Sequence, residues 1–172
     1  MSISVQADFI GDVNLTQLTG TLATDLAAMI TQVEKKYLRL LLGDDLYVLF
    51  IAGLAAETAI YETLLEGEEY ENGGSTWVYE GLEKMLLYFI FAEWKIVRLS
   101  EDTSIGTVRQ NKDKSNKLEM YHVEKISNDA FNKGVDLYHA AYNYLLINIT
   151  DFETWVYTDI KKRSHFGVIR SA

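Results

Sequence analysis

The sequence contains no cysteine and no proline. Without cysteine the chain can form neither a disulfide nor a thiolate metal site, which suits a reducing cytoplasm. Without proline its helices meet no residue that lacks a backbone donor, and a Pro-rich linker between domains is excluded. The length of 172 residues fits one domain with a buried core. These features favour a single domain of uninterrupted helices.

Catalytic motifs are missing as well. The sequence has no GxGxxG loop, no GxxxxGK loop and no GxSxG turn. His122 and His139 are 17 residues apart without an HExxH pattern, and His165 lies beyond them. Glu93 stands in an apolar stretch beside Trp94, where burial could raise its pKa, but pairing with a lysine or arginine at the rim is commoner. We therefore predict no enzyme, no metal site and no cofactor.

Long hydrophobic runs are also scarce. The longest, residues 85–92, has eight residues, whereas a helix needs about 20 to span a bilayer. The first residues have neither the basic nor the apolar region of a secretory signal. We expect a soluble chain that does not enter a membrane.

The charge is acidic and unevenly distributed. The net charge is −9, with −11 on residues 1–102 and +2 on residues 103–172. An acidic chain is a poor candidate for sequence-specific DNA binding. The asymmetry could orient subunits against one another, or it could reflect two solvated faces.

Apolar residues recur at spacings of three and four, which predicts helices. Because hydrophobic residues make up 48% of the chain, these helices can share a core. The fold class predicted is mostly α: a single helical domain of four to five helices, with room for a small β-hairpin and with extended termini. The predicted helices cover residues 21–42, which end before Gly43, and residues 44–52, 57–65, 78–99 and 118–148.

The connections carry the turn signals. Residues 67–75 are acidic and Gly-rich and predict a loop. Around Gly106, β-branched residues could form a small hairpin or an edge strand. The second half of that connection is basic, and we predict that it is an exposed loop at the DNA channel or a subunit interface, or simply a solvated loop. Its cations are Arg109, Lys112, Lys114 and Lys117.

Both ends of the chain are predicted to be extended segments that contact a neighbour or a partner. Residues 1–18 predict an extended arm that could pack on a neighbour. Residues 158–172 have four basic side chains against one acidic one, with isolated apolar residues between them. Such a segment is typical of one that becomes ordered on a partner. We therefore divide the chain into a helical domain, residues 1–157, and a docking tail, residues 158–172.

The order of several motifs resembles the head–tail connector, or adaptor, proteins of tailed bacteriophages, and more narrowly versions from phages of gut Bacteroidales. The motifs are KKYLRLLLG, LYVLF, LLYFIFAEWKI, SIGTV and FNKGVDLYHAAYNYL, and the likeness covers about residues 21–148.

The resemblance implies a structural virion protein that is assembled in the host bacterial cytoplasm. Its copies would form a ring, commonly twelve-fold, that joins the portal to downstream tail or ring proteins. Packaged DNA would pass through the ring without sequence-specific binding. The C-terminal segment would grip the portal, and the expected partner-binding residues there are Trp155, Lys161, Lys162, Arg163, Phe166, Ile169 and Arg170.

Two other classes of function stay open at this point. One is another virion ring, such as a tail-completion or tail-terminator protein, and a tail terminator would be richer in strands. The other is a helical regulatory or ligand-binding protein of a bacterium.

Overall fold

A computed structural model of the chain describes residues 3–15, 18–98, 101–103, 106–108, 113–156 and 158–163. Over these residues the chain folds into four α-helices and two antiparallel hairpins, and the predicted mostly α fold is confirmed. Two short 3-10 turns come first, Gln6–Asp8 and Gly11–Val13. The helices are α1 (Thr21–Ala55), α2 (Ala59–Glu66), α3 (Gly81–Val97) and α4 (Asp113–Ile147). The strands are β1 (Glu68–Asn72), β2 (Ser75–Tyr79), β3 (Glu101–Thr103) and β4 (Gly106–Val108).

A kink divides α1 at Gly43. Its φ of 74° and ψ of 169° are not helical, and its positive φ is a conformation that glycine adopts without strain. The predicted end of the first helix before Gly43 is therefore confirmed, although the next helix follows directly. That second part of α1 continues to Ala55, three residues beyond the prediction.

The acidic segment 67–75 does not form the predicted loop. It forms most of a hairpin in which β1 pairs with β2 and Tyr70 lies opposite Trp77. The turn has only two residues, Gly73 and Gly74, and both have positive φ, as the tight hairpin turns that match strand twist require. Because β2 takes residues 78 and 79, α3 begins at Gly81 and not at the predicted 78.

Helices α3 and α4 pack against each other in antiparallel directions. Fully buried Phe89 of α3 lies 5.3 Å from Phe131 of α4, measured between ring centroids, and it stacks on Tyr37 of α1 at 3.9 Å. A Cβ atom at Gly134 would lie only 2.9 Å from the Phe89 ring. Gly134 thus lets the two helices approach closely, and Phe89 is at the centre of the core.

The last helix starts earlier than its apolar pattern indicated. α4 begins at Asp113, so Lys114 and Lys117 belong to its first turns and not to the predicted loop. Residues 113–117 are polar and have no apolar periodicity, although nothing in them breaks a helix. Arg109 and Lys112 lie outside the described residues. The residues around Gly106 were expected to form a small hairpin or an edge strand. In the structure they form the hairpin, β3–β4.

The N-terminal segment packs on its own chain. The backbone amides of Ile3 and Ser4 donate to the buried carboxylate of Glu34, at 3.1 and 2.6 Å. Phe9 and Val13 enter the core with 2% and 6% of their surface exposed. The structure thus places the predicted arm on α1 of the same molecule.

Candidate partner-binding surfaces

The segment that follows α4 is anchored by Trp155. The indole Nε1 donates to the Leu41 carbonyl at 2.7 Å, and the ring packs on Tyr142 with centroids 5.3 Å apart. Only 9% of Trp155 is exposed. This corrects the expectation that Trp155 binds the portal, because its side chain is buried in its own domain.

Residues 158–163, which we call the strap, continue along α4. The Tyr138 hydroxyl donates to the Thr158 carbonyl. His139 Nε2 lies 3.5 Å from an Asp159 carboxylate oxygen, and Lys162 Nζ lies 2.6 Å from Asp136. The strap therefore runs antiparallel to α4. The predicted tail boundary at 158 is wrong in this respect, because packing on the body continues to Arg163.

Arg163 is held by its backbone and by its side chain. The Asn132 amide makes two hydrogen bonds to the backbone of Arg163. Its Oδ1 accepts from the Arg163 N–H at 2.7 Å, and its Nδ2 donates to the Arg163 carbonyl at 3.0 Å. The guanidinium lies 3.8 Å from the centroid of Phe131 and donates to Glu93 at 3.2 Å. Cation–π contact and a charge-assisted hydrogen bond are both typical of arginine recognition.

Glu93 is the anion of this arrangement. Besides Arg163, its Oε1 accepts from the Tyr37 hydroxyl at 2.8 Å and from Lys36 Nζ at 3.2 Å. Burial opposes ionisation, but the Tyr37 hydrogen bond and the charges of Lys36 and Arg163 outweigh it and lower the pKa of Glu93. Burial and the Glu93 charge raise the pKa of Tyr37 well above its usual value. The predicted pairing at the rim is thus confirmed. We call Glu93, Asn132 and Phe131 the arginine site.

The contacts that hold the strap differ in strength. The Lys162 and Asp136 side chains are each about half exposed, and such pairs contribute about 0–1 kcal/mol. Ile160 packs against the core, and the hydrogen bond from Arg163 to Glu93 is charge-assisted and therefore stronger than a neutral one. The strap is thus held mainly by Ile160 and Arg163.

Two stretches of the sequence contain no basic residue. Residues 40–83 contain ten carboxylates and no lysine, arginine or histidine, and residues 140–160 have no basic residue either. These stretches are packed together. Phe50 and Tyr61 lie 6.1 Å apart, Tyr61 and Phe152 lie 6.4 Å apart, and Tyr79 stacks on Tyr144 at 4.4 Å, all between ring centroids. We call these two stretches the cation-free end because neither contains a basic residue of its own. Two cations from flanking positions do reach it: Arg39 pairs with Asp44 at 3.4 Å and lies over the Tyr47 ring, and Lys84 pairs with Glu80.

The cation-free end also exposes an apolar helix face. After the kink, α1 buries Leu46 and Phe50, and on its opposite side it exposes 61% of Val48 and 46% of Leu49. Residues 46–56 include no charged side chain, so the helix is apolar on every face. Scattered exposed aliphatics are ordinary, but a helix that is apolar all round is normally covered. We call Val48, Leu49, Ala52 and Ala55 the apolar face.

The structure brings few of the sequence-predicted site residues together. Lys162 and Arg163 lie on the strap and Lys161 is exposed between strap contacts, whereas Phe166, Ile169 and Arg170 lie outside the described residues. Sequence reasoning missed the apolar face, although the charge-free run 46–56 signals it. It also missed Asn132, for which the sequence contains no local signal.

The described residues contain no group of three or more His, Asp or Glu side chains placed to hold a metal ion. Over the same residues no single helix has the length and apolarity to cross a membrane, and α1 and α2 pass together only as a pair bent by 105°.

Comparison with known families gives one match. A family model described as a family of unknown function (DUF6712) matches residues 38–164, well over half of the chain. The chain belongs to this family. No curated protein and no solved structure matches it. The matched region begins in α1 before the kink and ends just after Arg163. In this member of DUF6712 it therefore includes the apolar face, the cation-free end and the strap.

Proposed function

We propose that this protein is a structural assembly subunit, a head–tail connector of a tailed bacteriophage whose copies form a ring beneath the portal. The observation that carries the proposal is the apolar face on the cation-free end. A chain that exposes an apolar helix face beside a mostly acidic rim presents a surface suited to burial against another protein. The mostly helical fold supports a connector over a strand-rich tail terminator.

The negative charge around the apolar face limits the class of partner that can bind there. Exposed Asp45 precedes the apolar face and exposed Glu57 follows it, whereas Asp44 beside them pairs with Arg39 at 3.4 Å. A phosphate backbone or an anionic membrane would be repelled by these carboxylates. A protein with an apolar centre and basic surroundings would be attracted. Portal, tail or neighbouring ring subunits are partners of that class, and DNA would pass without sequence-specific contact.

The remaining predicted contacts belong to the same proposal. Phe166, Ile169 and Arg170 are proposed to reach the portal from beyond the strap. Arg109 and Lys112, with Lys114 and Lys117 of α4, are proposed to face the DNA channel or an acidic surface of the next subunit. The virion, assembled in the bacterial cytoplasm, is the location that this function requires.

The test measures the mass of the purified chain with and without its candidate portal, by light scattering after gel filtration. We expect Val48→Lys combined with Leu49→Lys to prevent assembly on the portal, because two charges would have to be buried. Tyr121→Lys is the matched control. Its residue is 59% exposed on α4, and its distance from the Tyr144 level is about 35 Å at 1.5 Å per residue. Assembly of the double variant at wild-type levels would contradict the proposal.

A further inference from the structure

The arginine site holds Arg163 of the strap by its backbone and its side chain. Two of its contacts, both from Asn132, go to the backbone of residue 163 and would be available to any extended chain. Specificity comes from the guanidinium between Glu93 and Phe131. Phe131 is 5% exposed and is fixed against Phe89, so this wall of the site is rigid.

The segment leading into this site can be re-routed. Upstream, Trp155 is fixed by its bond to Leu41, so the chain before it stays on the body. Immediately after this anchor, 68% of Val156 is exposed, so the connection to the strap is open to solvent. Downstream, the His139 and Asp159 side chains, which lie 3.5 Å apart, are 45% and 53% accessible, whereas Ile160 packs against the core. A fixed anchor and an exposed connection are features that let a terminal segment leave its own domain, and Ile160 and Arg163 would make the same contacts on a second copy.

We propose that the arginine site is a receptor for the strap of a second copy of this chain, so that Arg163 of one subunit can occupy the Glu93, Asn132 and Phe131 site of the next. Every copy has both the strap and the site, so the exchanged contacts are the same as those made within one chain, as in domain swapping. The inference rests on the proposed function in one respect, which is that copies assemble with one another. It adds the segment that links them.

The geometry permits this exchange. From Thr158 to the end of the chain there are 15 residues, and an extended chain advances about 3.3–3.6 Å per residue. The strap alone would bridge about 20 Å between the anchor of one copy and the arginine site of another. The Lys162–Asp136 and His139–Asp159 contacts would re-form beside it, because they belong to the same face of α4.

The first experiment measures strap binding directly. The probe is a fluorescein-labelled peptide of residues 156–172, and the receptor is the full-length Arg163→Ala chain, whose own strap lacks the guanidinium. We expect saturable binding by fluorescence anisotropy. A peptide carrying Arg163→Ala should bind at least about tenfold more weakly, as should a receptor that also carries Asn132→Ala. A peptide with Lys161→Ala is the matched control and should bind like the unaltered peptide.

A second measurement uses the unaltered arginine site. Because the chain has no cysteine, single-cysteine variants can be joined selectively. A mixture of Asp136→Cys and Lys162→Cys chains should give a cross-linked dimer with a short bismaleimide, whereas Asn72→Cys mixed with Lys162→Cys should not. Absence of the 136–162 dimer, or equal affinity of the peptide that lacks Arg163, would overturn the exchange. Neither experiment includes a portal, so failure here would leave the connector proposal intact. Conversely, loss of portal attachment with normal peptide binding would contradict only the connector.

Discussion

Because Gly134 contacts Phe89, the effect of Gly134→Ala on stability should depend on which residue occupies position 89. In the helix interior, Gly→Ala should stabilise the chain by about 1 kcal/mol through helix propensity. Here the added Cβ would lie 2.9 Å from both Cδ1 and Cε1 of Phe89 and 3.2 Å from Cζ. The ring cannot withdraw freely, because Tyr37 stacks on it at 3.9 Å and Phe131 closes another side. Overpacking of this kind costs about 1–3 kcal/mol.

We therefore expect Gly134→Ala to lower the free energy of unfolding by up to about 2 kcal/mol in the wild-type chain. Phe89→Ala alone should cost about 3–5 kcal/mol, as a large truncation in the core does. In that background the new methyl group enters the space left by the ring, so the same Gly134→Ala change should stabilise the chain by about 1 kcal/mol. The interaction between the two changes is then about 1–3 kcal/mol.

The assay is urea denaturation followed by the helical circular dichroism signal, applied to the wild type, both single variants and the double variant. The reversal of sign is the decisive result. If Gly134→Ala stabilises the wild type as much as it stabilises the Phe89→Ala chain, the two helices are not as close as the structure places them. If Phe89→Ala costs less than about 1 kcal/mol, Phe89 is not at the centre of the core.

Three further predictions concern the segment after α4 and its anion. Trp155→Phe removes the indole donor to Leu41 and should cost about 1–3 kcal/mol in urea denaturation; an unchanged midpoint would argue against this anchor. The lowered pKa of Glu93 means that its contribution is present above its ordinary value of 4.5 and is lost as the pH falls through the lower folded value. As the pH falls between these two pKa values, the wild type should lose free energy of unfolding and Glu93→Gln should lose less of it. Parallel profiles of stability against pH for the two chains would refute the pairing of Glu93. Deleting residues 158–172 should change the free energy of unfolding by at most about 2 kcal/mol while abolishing portal attachment, and an unfolded product would mean that the strap belongs to the core.

The helical part of the fold could be predicted because its signals are local. The three-and-four spacing of apolar residues identified α1, α3 and α4, and Gly43 marked the end of the first helical segment. The β1–β2 hairpin was missed because β1 is mostly polar and reads as a loop. Two aromatic side chains of the hairpin, half-buried Tyr70 of β1 and buried Tyr79 of β2, pack on Tyr144, which lies far along the chain.

The arginine site could not be predicted for a related reason. Glu93 and Asn132 are 70 and 31 positions from Arg163 in sequence, and no periodicity connects them. The basic charge of the tail was visible in the sequence, but the sequence could not show that residues 158–163 pack on the chain's own body. Only the antiparallel packing of α3 and α4 brings the three residues together.

The cation-free end also restricts the symmetry that an assembly of this chain can have. If two copies met through this end in a two-fold arrangement, each carboxylate rim would face its own duplicate, and repulsion would oppose burial of the apolar face. A contact between unlike surfaces avoids that conflict, because most basic residues of the chain belong to other parts of the sequence. Such head-to-tail contacts are open by nature: each added copy presents a fresh surface for the next. They end only when the rotation between neighbours closes a ring, and otherwise they continue as a filament.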